Sequence, residues 1–481
     1  MTTTANPDAE FRPVVTLPTI FRLGLFNLGL GLMSVLTLAV LNRVMISELF
    51  IPATLTAGTA AIQYLIAPVR VWFGQLSDTK PLFGLHRTNY VRIGVICAGI
   101  CVFLAAQIAW QLGMAAPEGE TWAWNSGTIA WSVLLALVFI AYGFSISASS
   151  IPFTALLVDV SDEKERARIV AIVWSMLLVG IVIGGITGKI WGTTILGEEG
   201  ETSVLTNITD LYQPLTLLFI MVPIAFIVLA NLATWGVERR YSRFSQQKST
   251  SQREDSVTLQ NTLQLLTSNR QVGIFFSFLF LLTVGLFLQE AVLEPYGGEI
   301  FKMPIGETTA LNSVWGTGVL LGYGLTGFLV IPRLGNQKAA RWGCGLVALC
   351  FALIILSGFT QDPGLLKGAI LLFGGAAGVA TISSIGLMLD LTTAENAGMF
   401  VGAWGLSQAI ARGVGIFSGG VILDVGKNLL KTPLLAYSAV FAIQALCMVG
   451  AIAILSRVSV SEFRSNSRRT LATAMEADLD G

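Results

Sequence analysis

Histidine is almost missing from this chain: there is one, His86, in 481 residues. It stands in a polar loop, which removes most histidine-based metal, haem and catalytic-triad chemistry. Charge is scarce as well. Asp, Glu, Lys and Arg make up 12% of the residues, against roughly 25% in a soluble domain, and the shortfall runs the length of the chain. Formal net charge is zero, which argues against nucleic acid as a partner. The five cysteines, Cys97, Cys101, Cys344, Cys350 and Cys447, all lie in apolar stretches, with no metal-ligand spacing and no disulfide framework. P-loop, HExxH, GxSxG and CxxC arrangements are absent. The chain therefore reads as neither a hydrolase nor an ATP-driven pump, and neither enzyme activity nor a resident metal is expected.

What is abundant is apolar sequence. Hydrophobic residues make up 54% and the mean hydropathy is +0.72. Segments long enough to cross a bilayer recur twelve times, at 20–41, 54–76, 89–112, 128–158, 169–191, 213–236, 270–293, 307–331, 339–358, 364–389, 396–423 and 434–456. The expected fold is an all-α polytopic membrane protein, because an open sheet would leave backbone groups unpaired in lipid. The first segment is too long for the apolar core of a signal peptide, and no small-residue cleavage site follows it. The longest polar stretch, RRYSRFSQQKSTSQREDS, separates six segments from six. This divides the chain into a tail at 1–19, a six-helix half at 20–236, a linker at 237–269, a second half at 270–457 and a tail at 458–481. Within the linker, Thr258 to Thr267 has the pattern of a short amphipathic surface helix. With both termini on one side of the membrane, that side carries 21 Lys and Arg against six opposite. The bias predicts that both termini are cytoplasmic.

The halves echo each other. YGFSISASSIPFTALLVD (142–159) and FGGAAGVATISSIGLMLD (373–390) align Gly143 with Gly374, Ile151 with Ile382, Leu156 with Leu387 and Asp159 with Asp390. Each Asp ends an even-numbered helix, and a Trp, Trp174 or Trp404, then opens a glycine-rich one. Two repeated six-helix halves with a linker on the side of the termini describe the major facilitator superfamily.

GQLSDTKPLFGLHRT (74–88) resembles that superfamily's loop signature between helices 2 and 3. On this resemblance Gly74 allows close helix approach, Asp78 accepts hydrogen bonds from a helix N-terminus, and Gly84 and Arg87 complete the motif. Lys80 or Arg87 then pairs with acidic groups near Asp159, as a cytoplasmic latch. The alternative is an ordinary positively charged loop. In VDVSDEKERARIVA (158–171), Asp159, Glu163 and Glu165 precede Arg166 and Arg168 at a helix start, where acids suit the dipole. Arg70 and Arg412 stand inside apolar segments. A lipid-facing Arg costs at least ~2.5 kcal/mol, so both are expected to face the bundle interior, with snorkelling the alternative for Arg70. In LFLQEAVLEPYGGEIF (286–301), Gln289, Glu290 and Glu294 close helix 7. Glu290 and Glu294 are expected on one helix face, Pro295 to end the helix and Gly297-Gly298 to turn it. Glu294 is expected to reach headgroups or water, and Glu290 to pair with an inward Arg or meet cargo.

Three stretches narrow the reading: LNRVMISELFIPA (41–53), APVRVWFGQLSDTKPLFGLHRTNYV (67–91) and QEAVLEPYGGEIF (289–301). Together they resemble the PucC and LhaA proteins, the bacteriochlorophyll delivery branch of the major facilitator superfamily. The resemblance implies a photosynthetic membrane, thylakoid or plasma, and an assembly role beside newly inserted light-harvesting or photosystem polypeptides. It implies chlorophyll or bacteriochlorophyll as transient cargo, with no tightly bound cofactor. DTKPLFGLHRT looks more like the cyanobacterial members, which favours chlorophyll a. Two other readings stand beside it: a proton-coupled secondary transporter of a small solute, using Arg70, Glu290 and Arg412, and a pigment-free assembly scaffold. Because the bundle holds no histidine, a pigment there needs another ligand. The intramembrane amides are Asn27, Gln63, Gln107, Gln289, Asn312, Gln408 and Gln444.

Overall fold

The computed structural model describes residues 15–66, 68–115, 122–161, 163–196, 208–241, 270–391, 397–430 and 432–459. Most of the linker, its expected amphipathic segment, and most of both tails lie outside the described residues. Among the described residues eleven helices are long and apolar enough to cross a membrane, and the twelfth span is broken in two.

α1 (Leu17–Val35) continues through π-helical turns at Leu36–Leu41 and Val44–Glu48. The first span therefore runs on to Glu48 instead of stopping near residue 41. α2 comes as Ala53–Leu65 and Pro68–Thr79, where one continuous helix was expected. Pro68 has no N–H to donate, and its ring crowds the preceding turn, so the helix breaks just ahead of it. There follow α3 (Thr88–Met114), α4 (Ser126–Val160), α5 (Glu163–Leu196) and α6 (Ile208–Thr234), with a short helix Val237–Tyr241 after α6. The second half holds α7 (Arg270–Phe287), α8 (Ile305–Leu325), α9 (Asn336–Thr360), α10 (Pro363–Asp390), α11 (Ala397–Leu430) and α12 (Pro433–Leu455).

Packing repeats between the halves. α3 lies against α4 and α6, α1 against α5 and α6, and α2 against α4. Six helices later, α9 lies against α10 and α12, α7 against α11 and α12, and α8 against α10. The loops before α3 and α9 match too: each turns through a left-handed glycine, Gly84 at φ +79° and Gly335 at φ +74°. Between the halves, α5 runs along α8 and α2 along α11. Each half has its own apolar core, and the second takes in Leu38, Ile46 and the alanines Ala53, Ala57, Ala60 and Ala61 from α1 and α2. Outward-facing residues such as Leu137, Ile186, Leu349, Leu372 and Leu446 are exposed, as an acyl-chain environment permits and water does not.

Candidate functional site

The two stretches LNRVMISEL and LEPYGGEIF meet on the side of the molecule opposite the termini, although about 250 residues separate them. Asn42 donates from Nδ2 to the Ala291 carbonyl at 2.9 Å. The Arg43 guanidinium is buried and donates to the Glu294 and Met303 carbonyls at 3.4 and 3.5 Å, and to Glu48 Oε1 at 3.1 Å. Its Nη1 lies where a Cβ on residue 298 would stand, so only glycine fits beside it. Further along the same side, Asp424 of α11 accepts from the Ala53 and Thr54 amides at 3.0 and 2.7 Å, capping the start of α2. These bonds clasp one half to the other.

Local structure here differs from the sequence expectation. α7 gives way to a 3-10 turn at Leu288–Ala291, and a separate helix Leu293–Phe301 follows. Pro295 therefore sits in the first turn of a new helix, where its missing N–H has no helical partner to lose, and does not end the old one. Glu290 and Glu294 are on different elements. Glu294 is 3% exposed, so it is not the wet carboxylate expected. Asn312 donates to its Oε1 at 2.8 Å while Oε2 is buried without a partner. Burial raises its carboxyl pKa to about 8, opposed by the Asn312 hydrogen bond. Tyr296 anchors the short helix: it is fully buried, donates to the Ile354 carbonyl at 2.9 Å, and packs against Phe301, Tyr437 and Phe441.

In the bundle interior Arg412 pairs with Glu290. Nε donates to Oε2 at 2.9 Å and Nη2 to Oε1, a two-pronged contact. The guanidinium lies 4.5 Å from the ring centre of Tyr64 and 4.3 Å from that of Phe287. The cluster spans the halves, with Tyr64 from α2 facing α7 and α11. Arg70, also on α2, is within electrostatic reach of Tyr64 and Arg412. Gln289 is buried beside this turn and its Oε1 has no partner. Several other amides join packed helices: Asn27 to the Val173 carbonyl, Gln107 with Tyr212, and Gln444 to Gly285, whereas Gln63 bonds back to Ala60 of its own helix.

On the side of the termini, Arg87 is the hub, with a side chain 1% exposed. It donates to Asp159 at 3.0 Å, Asp78 at 2.5 Å and Ser77 at 2.6 Å. Asp78 thus meets Arg87 and caps no helix among the described residues. The capping role falls to Glu238, whose carboxylate accepts from the His86, Arg87 and Thr88 amides at 2.6, 3.1 and 2.7 Å. Sequence reasoning missed Glu238 and Arg43; the first stood at the edge of a linker and the second among loop cations. Gly74 does not need to be glycine, since a Cβ there would meet Ile151 at an ordinary 3.6 Å. In the second half Asp390 holds Asn336 at 2.8 Å, in the position corresponding to Asp159. The side chains of Glu163, Glu165 and Arg166 lie outside the described residues.

Two six-helix repeats meeting around a polar interior cluster define the major facilitator superfamily fold. The chain belongs to the PUCC protein family, whose description matches residues 40–463. It is 31% identical over 441 residues to the bacteriochlorophyll synthase 44.5 kDa chain of Rhodobacter capsulatus, covering 89% of this chain and 92% of that one. It is 28% identical over 456 residues to protein PucC of Rhodobacter capsulatus, covering 91% and 92%. Among solved structures it resembles the nucleoside transporter NupG, with a TM-score of 0.66 at 15% identity over 92% of this chain and 99% of that one. That likeness is one of fold alone.

Proposed function

We propose that this protein is a membrane assembly factor that delivers or chaperones a chlorophyll-type pigment while light-harvesting or photosystem complexes are built. Membership of the PUCC family over most of the chain carries the reading, together with a relative named as a bacteriochlorophyll synthase chain. That relative's name speaks of synthesis. This chain is read as non-enzymatic, a carrier with pigment as transient cargo and no resident cofactor. It works in a photosynthetic membrane with both termini in the cytoplasm, in keeping with the Lys and Arg bias.

A histidine-free bundle suits a carrier. A strong axial ligand to magnesium would hold the pigment, whereas delivery needs release. The Arg412–Glu290 pair of the second half, set against Tyr64 of the first, favours a second reading, a proton-coupled transporter of a small solute. Isolation of the tagged chain from its native membrane separates the readings. Chlorophyll-type absorption with antenna or photosystem subunits attached supports delivery. Subunits without pigment point to a scaffold, and neither, with uptake into proteoliposomes, points to a transporter.

A further inference from the structure

The interior cluster holds more positive charge than it uses. Glu290 is taken up by Arg412 in a two-pronged pair. Among the described residues Arg70 meets no carboxylate: it makes no hydrogen bond or ion pair, and its Nε is sealed from solvent. Two guanidinium groups and one carboxylate leave one unneutralised positive charge. An intramembrane Arg is costly unless something answers it. Snorkelling would carry Arg70 towards headgroups and water, yet its Nε is shut off from solvent and has no partner. The Tyr64 hydroxyl also has no partner among the described residues. A guanidinium fork and a phenol O–H are donors suited to a carboxylate. Beside them the rings of Tyr64 and Phe287 already hold the flat Arg412 guanidinium.

We propose that Arg70, Tyr64 and the Arg412–Glu290 pair form a site for the carboxylate of a singly charged amphiphile, and that the cargo is a chlorin whose propionate is not esterified. This rests on the pigment-carrier reading. An anionic lipid phosphate shares the charge, so the test must separate the two. The protein is placed in phosphatidylcholine nanodiscs as wild type, Arg70→Gln and Arg70→Lys. Each is titrated with chlorophyllide a and with its methyl ester, with and without added phosphatidylglycerol.

Wild type should bind the free acid about tenfold or more tighter than the ester, the range of a charge-assisted hydrogen bond. Arg70→Gln should remove the preference, bringing acid and ester to the same affinity, with an unchanged melting temperature showing that the variant is folded. Arg70→Lys should restore part of the preference. Equal binding of acid and ester by wild type overturns the carboxylate site and leaves the carrier reading standing. So does a preference that survives in Arg70→Gln, or phosphatidylglycerol competing as strongly as the acid. If neither chlorin binds, the carrier reading falls and this inference with it.

Discussion

A carboxyl group 3% exposed, with one oxygen unpartnered, makes Glu294 a titrating weak point at the far-side clasp. Its pKa is about 8 in the folded chain against 4.5 for the free side chain. Between those values the folded state holds more protons than the unfolded one, so stability falls as pH rises. The contribution is complete below about pH 4.5 and lost by about pH 8. Melting curves in detergent should show Tm falling across that window, and Glu294→Gln should flatten the fall; an unchanged slope in the variant contradicts the assignment. Glu290 behaves differently because it is paired. Glu290→Gln strands a guanidinium between two aromatic rings and should destabilise by about 3 kcal/mol. Removing both partners, as Glu290→Leu with Arg412→Met, should cost less than either single change. A double-mutant cycle by chemical denaturation measures this, and strict additivity would show that the pair is not coupled.

At the level of elements, two short helices do work out of proportion to their length. Val237–Tyr241 presents Glu238 to the start of α3. Glu238→Ala should uncap α3 and lower stability by roughly 1–2 kcal/mol, read as a shift in unfolding midpoint; no shift would mean that solvent satisfies those amides equally well. Leu293–Phe301 carries the notch at Gly298 that receives Arg43. Gly298→Ala should expel the guanidinium and destabilise by about 2 kcal/mol or more. Gly298→Ala combined with Arg43→Ala should recover part of that loss; if it recovers none, the cost lies in the helix itself. Hydropathy marks long helices well, and eleven spans were legible from it. It is blind to how they are interrupted. Pro68 in the second apolar run was the signal for the break in α2. Pro295 was misread because proline marks the first turn of a helix as readily as the residue after its end.

Across the whole molecule, the repeated packing gives each half its own set of helix contacts, and the far-side clasp of Asn42, Arg43 and Asp424 ties the two together. If the halves rock as in other proteins of this fold, that clasp must open. Spin labels at Phe50→Cys and Leu429→Cys, both exposed on the far side, in a background without the five native cysteines, should report it. Arg43→Ala should broaden and lengthen the label distance, whereas an unchanged distribution would mean that other contacts hold the halves shut. The pseudo-repeat and Asp159 were readable because they are local patterns. The meeting of Asn42 and Arg43 with Ala291 and Glu294 was not, because one sequence carries no direct mark of contacts between residues so far apart.

Pigment hand-over tests the central claim most directly. The purified protein, loaded with a chlorophyll-type pigment in nanodiscs, is mixed with a pigment-free antenna polypeptide in vesicles, and the red absorption band of the assembled complex is followed in time. Delivery predicts that the complex forms at least tenfold faster than from protein-free nanodiscs with the same pigment. Equal rates with and without the protein would contradict it.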